Sequence, residues 1–542
     1  MTPDLRDGDL DPRTPVVVGV GQSSERLQDP DYRRRSPVDL AADAAREALG
    51  DSGTDLVAVA AAVDTLAATR QFDNSTPGAR APLGRSDNFP RSVALRIGAS
   101  PRRAILEVAG GQSPQQLVNE LAAAIATGRG EVALVVGAEA ISTSEALAGA
   151  DDRPDWTEHV DGDLEDRGYG LEGLVSMELA SHGLTDAPSM YALLENARRA
   201  RLGQTREEYA LAMGRLFEPF TEVAAKNPHA AAPVRRSAEE LVTATAANRP
   251  IVDPYPRYVV AREKVNQGAA VLLMSVAAAH RLGVPKDRRV FLHGHADLRE
   301  RDLLERADPG QAPALVAAAR HALDLAGIGV DDLAALDLYS CFPVAVSVVA
   351  DGLGLAPDDP RGLTATGGLP FFGGAGNNYS MHGIAEIVHR VRTAPGTFGF
   401  VGANGGVLSK HSTGVYSTAP APWRPDRSPA IQAELDAAPA PPQADHADGW
   451  ATVETFTVRH GRDDRHTGIV VGRLHTTGER FIALANDGDS EILELLSSEQ
   501  PIGQRVYARS FGFGNRVTTS PERMDGRRPG WRLTGRCRGR CR

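Results

Sequence analysis

The sequence predicts an α/β protein made of two similar halves, with a helical insertion in the first and a small β-rich domain toward the C-terminal side. Three observations point there. Short apolar runs alternate with helical stretches, the pattern of a mainly parallel sheet covered on both faces. The order of elements repeats: "VALVVGAEA" and "GFVGANGGV" are equivalent strand ends, and "ILEVAGGQSP" matches "GGLPFFGGAGNN", a divergent internal duplication. From residue 450 onward the pattern turns to period-two alternation, as in "WATVETFTVRH" and "RFIALAND", which is a β signal.

The first half covers residues 14–149 and 246–288. "TPVVVGVGQ" reads as a buried strand. In "SPVDLAADAAREALGDSG", Ser36 suits an N-cap, Pro37 the first helical position, and Gly50 with Gly53 the exit. The strand "RAILEVAGG" leads into a helix on which Leu117, Leu121 and Ile125 recur at four-residue spacing. Val118 and several alanines fill the other faces, so this helix is expected to be buried. Ser113 is the expected N-cap, Pro114 the first helical residue, and Gln116 the far side of a capping box. The start of this helix directs partial positive charge toward Gly110 and Gly111, where a thiol would be a strong nucleophile.

Residues 150–245 are charged and helical and read as an inserted subdomain. "PIVDPYPRYVV" and "VNQGAAVLLMSVAAAHRLG" then return to the sheet of the first half. The second half spans 289–418. Residues 419–449 hold seven prolines and read as an extended linker. Residues 450–520 form the β-rich domain. Residues 521–542 carry eight Arg against one Glu and one Asp and read as a disordered tail.

Composition narrows the function. A net charge of −11 argues against nucleic acid as the main partner. No apolar run is long enough for a membrane helix, and "MTPDLRDGDLDPRTP" is too acidic for a signal peptide, so a cytoplasmic protein is expected. Cys341 lies in the body, while Cys537 and Cys541 lie in the tail without partner ligands, so no metal is expected. "GVGQSS" lacks the third glycine and the immediate helix of a dinucleotide site.

Four motifs carry a resemblance: "ANRPIVDPYPRYVVAREKVNQGAAVLL", "DLYSCFP", "GGLPFFGGAGNNYSMHGIAE" and "GANGG". With the two-half organisation and the insertion they resemble the thiolase superfamily over about residues 14–520. More narrowly, they resemble the actinobacterial thiolase-like proteins described as acetyl-CoA acetyltransferases that carry an additional C-terminal domain. The resemblance implies a duplicated thiolase fold, layered αβαβα with two mixed five-stranded sheets, and an insertion that holds coenzyme A. It also implies a C-terminal domain like a small oligonucleotide-binding barrel, and acyltransferase chemistry on CoA thioesters in lipid metabolism by a homodimer or monomer.

The family's catalytic positions are changed here. Its nucleophilic cysteine falls on Gly111, its histidine on Gly374, its second cysteine on Ala403, and its water-holding asparagine or histidine on Tyr339. Ordinary thiolysis or Claisen condensation through an acyl-cysteine is therefore not expected. Tyr339, His382 and Asn404 are the remaining candidates for acid, base and oxyanion support, which a retro-aldol carbon–carbon lyase acting on sterol side chains needs. Ser113 and Cys341 are weaker nucleophiles, and Asn377 and Asn378 either cap a helix or donate to a thioester oxygen. Arg198, Arg199, Arg201 and Lys226 are candidates for the coenzyme A phosphates. The competing readings are a non-catalytic acyl-CoA or lipid-binding protein, and an interaction module in residues 450–520.

Overall fold

The computed structural model describes residues 10–172, 176–461 and 465–525. Ten strands form one mixed sheet: β1 (Pro15–Ser24), β2 (Thr65–Ala68), β3 (Arg103–Leu106), β4 (Val132–Ala140), β5 (Glu165–Asp166), and, beyond a two-stranded excursion, β8 (Asn266–Ser275), β9 (Val290–Arg299), β10 (Leu333–Leu338), β11 (Phe398–Gly405) and β12 (Lys410–Ser417). The order is β10-β11-β12-β9-β1-β8-β4-β2-β3-β5. The two halves meet where β9 pairs with β1 through Phe291 opposite Val16 and Val290 opposite Val17. In the second half, four strands form ladders. A fifth stretch stays irregular beside β10, where Leu338 N donates to Leu363 O and Asp337 accepts from the amides of Ala365 and Thr366. At the opposite end β5 pairs in parallel with the outer edge of β3, Ile105 opposite Glu165 and Leu106 opposite Asp166.

The glycines of "GVGQSS" have a packing reason. A Cβ on Gly19 would fall 3.0 Å from Ala48 C, and one on Gly21 2.6 Å from Ala48 N, so the helix Pro37–Asp51 lies directly on β1. That helix starts with the expected capping box between Ser36 and Asp39. The helices Ser113–Ala126 and Tyr379–Thr393 form the middle layer. Leu117, Leu121 and Ile125 of the first share one core with Met381, Ile384 and Val388 of the second and with apolar side chains of β1, β4, β8 and β11.

A second sheet contains β13 (Gly449–His460), β14 (His466–Leu474), β15 (Arg480–Ala485), β16 (Arg505–Ser510) and β17 (Asn515–Thr518). A further β13–β14 ladder closes these five into a small barrel around Phe456, Phe481 and Ile492. The same sheet recruits β6 (Pro250–Val252) and β7 (Tyr255–Pro256), with Arg459 opposite Val252 and Asp253 N donating to Val458 O at 2.9 Å. This corrects the expectation that "PIVDPYPRYVV" returns to the first half. Its alternation suits any half-buried strand, and the free edge it joins belongs to β13. The proline-rich segment is also more ordered than an extended linker. Ser428–Asp436 is helical and packs Ile431 and Leu435 on Ala296, Leu298, Ala314 and Ala318. The start of the tail is a short helix, Pro521–Asp525, with Met524 buried. Cys537 and Cys541 lie outside the described residues. Among the described residues no helix is long and apolar enough to cross a membrane.

Candidate ligand cavity around the missing nucleophile

Burial of the helix Ser113–Ala126 brings its first turn against β11 and the turn before it against the loop that follows residue 372. Gly110 has φ +149° and donates its amide to Asn377 Oδ1 at 2.8 Å. Ser113 is not the cap. Its hydroxyl donates to Val108 O at 2.9 Å, and Gln112 opens the helix in the αR region with no side-chain cap. Gln116 Oε1 accepts from Gln112 Nε2 rather than from a backbone amide. The Gly110 turn replaces the capping box, since Ser113 N is already satisfied by Gly110 O at 3.0 Å.

At Gly111 the structure is decisive. A Cβ there would lie 2.5 Å from Tyr339 Cζ and 2.6 Å from the Asn404 carbonyl oxygen, and closer still to the Tyr339 hydroxyl. The phenol occupies the space that a side chain at 111 would enter. Tyr339 is held by its amide to Gly402 O at 2.9 Å and by an edge-to-face contact with Tyr379 at 5.3 Å. Burial, and to a lesser degree Cys341, pushes its phenol well above the ordinary range, so it is a neutral hydrogen-bond donor.

Gly111, Tyr339, Cys341, Asn404, Gly374 and Asn377 line one cavity of about 900 Å³. Asn404 Nδ2 donates to Tyr191 Oη at 2.8 Å, while its Oδ1 is buried without a partner. The Cys341 thiol is pushed up to about 12 by burial and is protonated at neutral pH. Gly374 has more room than Gly111: a Cβ would meet Leu369 Cδ2 at 3.2 Å. Asn377 is spent on backbone, holding Gly110 N and donating to Arg70 O at 2.6 Å. Asn378 donates to Gly137 O at 2.9 Å and forms no cap. Ala403 is fully buried on β11 and does not reach the cavity wall.

His382 is not in the cavity. In the first turn of the helix Tyr379–Thr393, it faces β1, with Nδ1 2.7 Å from Gln22 Oε1 and its ring edge-on to Phe372. Burial holds its pKa down to about 3, and Nε2 has no partner. The insertion arginines are also elsewhere. Arg198 makes a two-pronged pair with Asp351 at 2.8 and 2.9 Å, and Arg199 donates to Glu499 O at 3.1 Å. Lys226 is exposed and does not line this cavity. The first two are structural clamps because carboxylate or carbonyl acceptors lie within reach of their helix.

The cavity's cations come from residues not singled out in the sequence: Arg236, Arg249, Arg257, Arg262 and Lys264. Four of these five sit in "RPIVDPYPRYVVAREK", where the signal was a run of basic residues threaded between Pro, Tyr and Val. Arg236 stacks on the Tyr258 ring at 4.0 Å. Arg262 Nε is buried without a partner, and burial, then Arg257 and Arg236, lower its pKa. A half-buried guanidinium set among other cations has the chemistry that suits an anion.

A family model described as the thiolase-like protein type 1 additional C-terminal domain matches residues 430–512. The crystal structure of a monomeric SCP2-thiolase-like protein type 1 from Mycobacterium smegmatis is 50% identical, covers 94% of this chain and 100% of its own, and superposes with a TM-score of 0.82. The chain belongs to the SCP2-thiolase-like protein type 1 family. Members of this family share the thiolase fold, which is also seen in two distant structures. An Ltp2-ChsH2(DUF35) aldolase is 21% identical, with 75% of this chain and 98% of that one covered and a TM-score of 0.55. Human mitochondrial 3-ketoacyl-CoA thiolase is 17% identical, with 75% and 99% covered and a TM-score of 0.51. No curated protein matches the chain.

Proposed function

We propose that this type 1 thiolase-like protein binds coenzyme A thioesters, as a cytoplasmic monomer, and does not acylate itself. The observation that carries the reading is the packing of Tyr339 into the side-chain space of Gly111. Thiolysis and Claisen condensation pass through an acyl-enzyme. Here the nucleophile is missing, its space is filled, and the nearby thiol of Cys341 is protonated. The rest of the site suits a CoA thioester. About 900 Å³ lies toward the upper end of ligand-pocket volumes, large enough to take the acyl and pantetheine part of such a thioester. Arg236, Arg257 and Arg262 supply charge for phosphates, and the neutral Tyr339 phenol is a donor for the thioester oxygen.

The lyase reading keeps Tyr339 as its acid but loses His382 as its base. The two carboxylates on the cavity wall are Asp186, which is paired with Arg459 at 2.8 Å, and Glu263, which is exposed. Binding without turnover is therefore the better-supported function. Calorimetry with CoA, acetyl-CoA and a long-chain acyl-CoA should show saturable binding of each. Incubation should release no free CoA and leave the protein mass unchanged. A chain that binds none of these ligands, or gains an acyl group by mass spectrometry, would refute the reading.

A further inference from the structure

Every residue lining the large cavity lies between Phe72 and Gly406, so the barrel of residues 449–518 contributes no side chain to it. Its strand β13 nevertheless holds two of the cavity's walls. One is the start of the helix Ala187–Leu202, which lines the cavity with Asp186, Ala187, Pro188 and Tyr191. The other is the β6–β7 hairpin, with Ile251 and the flanking Arg249 and Arg257.

The attachment is made by buried polar groups. Thr455 Oγ1 donates to Leu193 O at 2.5 Å, and Thr457 Oγ1 donates to Asp253 O at 2.8 Å. Asn196 Nδ2 donates to both Phe456 O and Asp253 O at 3.1 Å, so one carboxamide joins helix, hairpin and barrel. Arg206 adds an ion pair to Asp253 at 2.7 Å and donates to Leu496 O and Ser498 O. Thr455, Thr457 and Asn196 are fully buried, so breaking any of these bonds leaves a polar group without water.

Arg459 also has an electrostatic role. Its Nη2 lies 2.8 Å from Asp186 Oδ2 and also donates to Ser189 Oγ and Gly183 O. The other Asp186 oxygen accepts from Ser189 N at 2.9 Å. The cavity wall carries five cations against two carboxylates, and Asp186 is the one of those two that has a cation beside it. With Arg459 removed, a bare carboxylate would face the same space as the arginines and repel any phosphorylated ligand.

We propose that the additional domain tunes a cavity it does not line: Arg459 neutralises Asp186 so that an anionic ligand meets the cavity's arginines unopposed, while β13 fixes the hairpin that carries Ile251 and Arg257. Arg459 is thus a positioning residue acting through Asp186. This inference rests on the CoA-binding reading, and the test separates the two.

The test uses the full chain and CoA calorimetry at low salt. Arg459→Met is expected to weaken CoA binding about tenfold, and added salt to shrink the loss. Asp186→Asn in the same chain is expected to restore affinity to within about threefold of wild type, because it removes the exposed charge without restoring any contact of Arg459. Asp186→Asn alone is expected to tighten binding about twofold, by leaving Arg459 as a further cation. An Arg459→Met chain that binds as wild type, or a loss that Asp186→Asn does not repair, overturns the proposal. Should Arg459→Met fail to fold, Asp186→Asn alone decides, since unchanged or weaker binding counts against it. Wild-type protein that binds no CoA refutes the functional reading only. The hold on the wall is then read in the free protein by hydrogen exchange. There Arg459→Met is expected to speed exchange in residues 183–191 at least fivefold, and unchanged exchange overturns the proposal.

Discussion

Replacing Gly111 by alanine tests the reasoning most directly. The new methyl would lie 2.5 Å from Tyr339 Cζ and 2.6 Å from Asn404 O, where ordinary contacts exceed 3 Å, and closer still to the phenol oxygen. Overpacking of this kind costs about 1–3 kcal/mol and occasionally more. With two neighbours of limited freedom, the upper end, about 3 kcal/mol, is expected here. Tyr339→Ala alone removes a large, partly buried ring packed against the core and costs about 3 kcal/mol. The two changes should not add. The methyl fits into the space left by the ring, so the double variant should lose about 4 kcal/mol rather than about 6, a coupling of about 2 kcal/mol. Tyr339→Phe is the control. It removes the hydroxyl but leaves Cζ in place, so it should recover less than about 1 kcal/mol. Urea unfolding of wild type, the three single variants and the two double variants (Gly111→Ala with Tyr339→Ala or Tyr339→Phe) reads these differences. A Gly111→Ala chain as stable as wild type, or strictly additive losses, would show that the phenol does not fill the nucleophile's space.

Other expectations follow from the same structure. Arg262→Ala should weaken CoA binding about tenfold, read by calorimetry, whereas Arg198→Ala and Arg199→Ala should lower stability more than affinity. Iodoacetamide at pH 8 should leave Cys341 unmodified in the folded protein and alkylate it only after denaturation, as peptide mass spectrometry would show. His382 and His411 are both buried with pKa values near 3. Their folded values are depressed, so the stability they confer is complete above about pH 6.5 and is lost as pH falls toward 3, at about 1.4 kcal/mol per unit for each. His382→Gln should remove one histidine's share of that slope, about 2 kcal/mol between pH 6.5 and 5, in unfolding curves measured across that range.

Much of the fold was legible because its signals are local. The capping box at Ser36 needs four consecutive residues, and the burial of the helix after Gly111 needs only a four-residue apolar repeat. The register that places a missing nucleophile at Gly111 is local too. What fills that place is not: Tyr339 is far away in sequence, and nothing in "DLYSCFP" announces its direction. The same limit explains the basic residues. Arg198 and Arg262 look alike in sequence, but one finds Asp351 and the other finds only cations. Ser113 reads as a cap because the sequence of a cap is present, whereas its geometry is not. A glycine turn had already satisfied the amide.

The β6–β7 hairpin carries a consequence for how the protein is made. Its partner strand β13 lies about 200 residues further along the chain, with the whole second half in between. At 5–20 residues per second a ribosome needs on the order of 10–40 s to deliver that strand. During that time residues 250–256 have no sheet to join, and the hairpin is tied to the earlier helix through Tyr255, which hydrogen-bonds to Glu195 and Tyr191 O. The ligand wall is therefore among the last parts of the molecule to set, after both halves of the large sheet have had time to form. A nascent chain arrested before residue 449 should already resist protease over residues 14–149, yet remain open to cleavage near Tyr258.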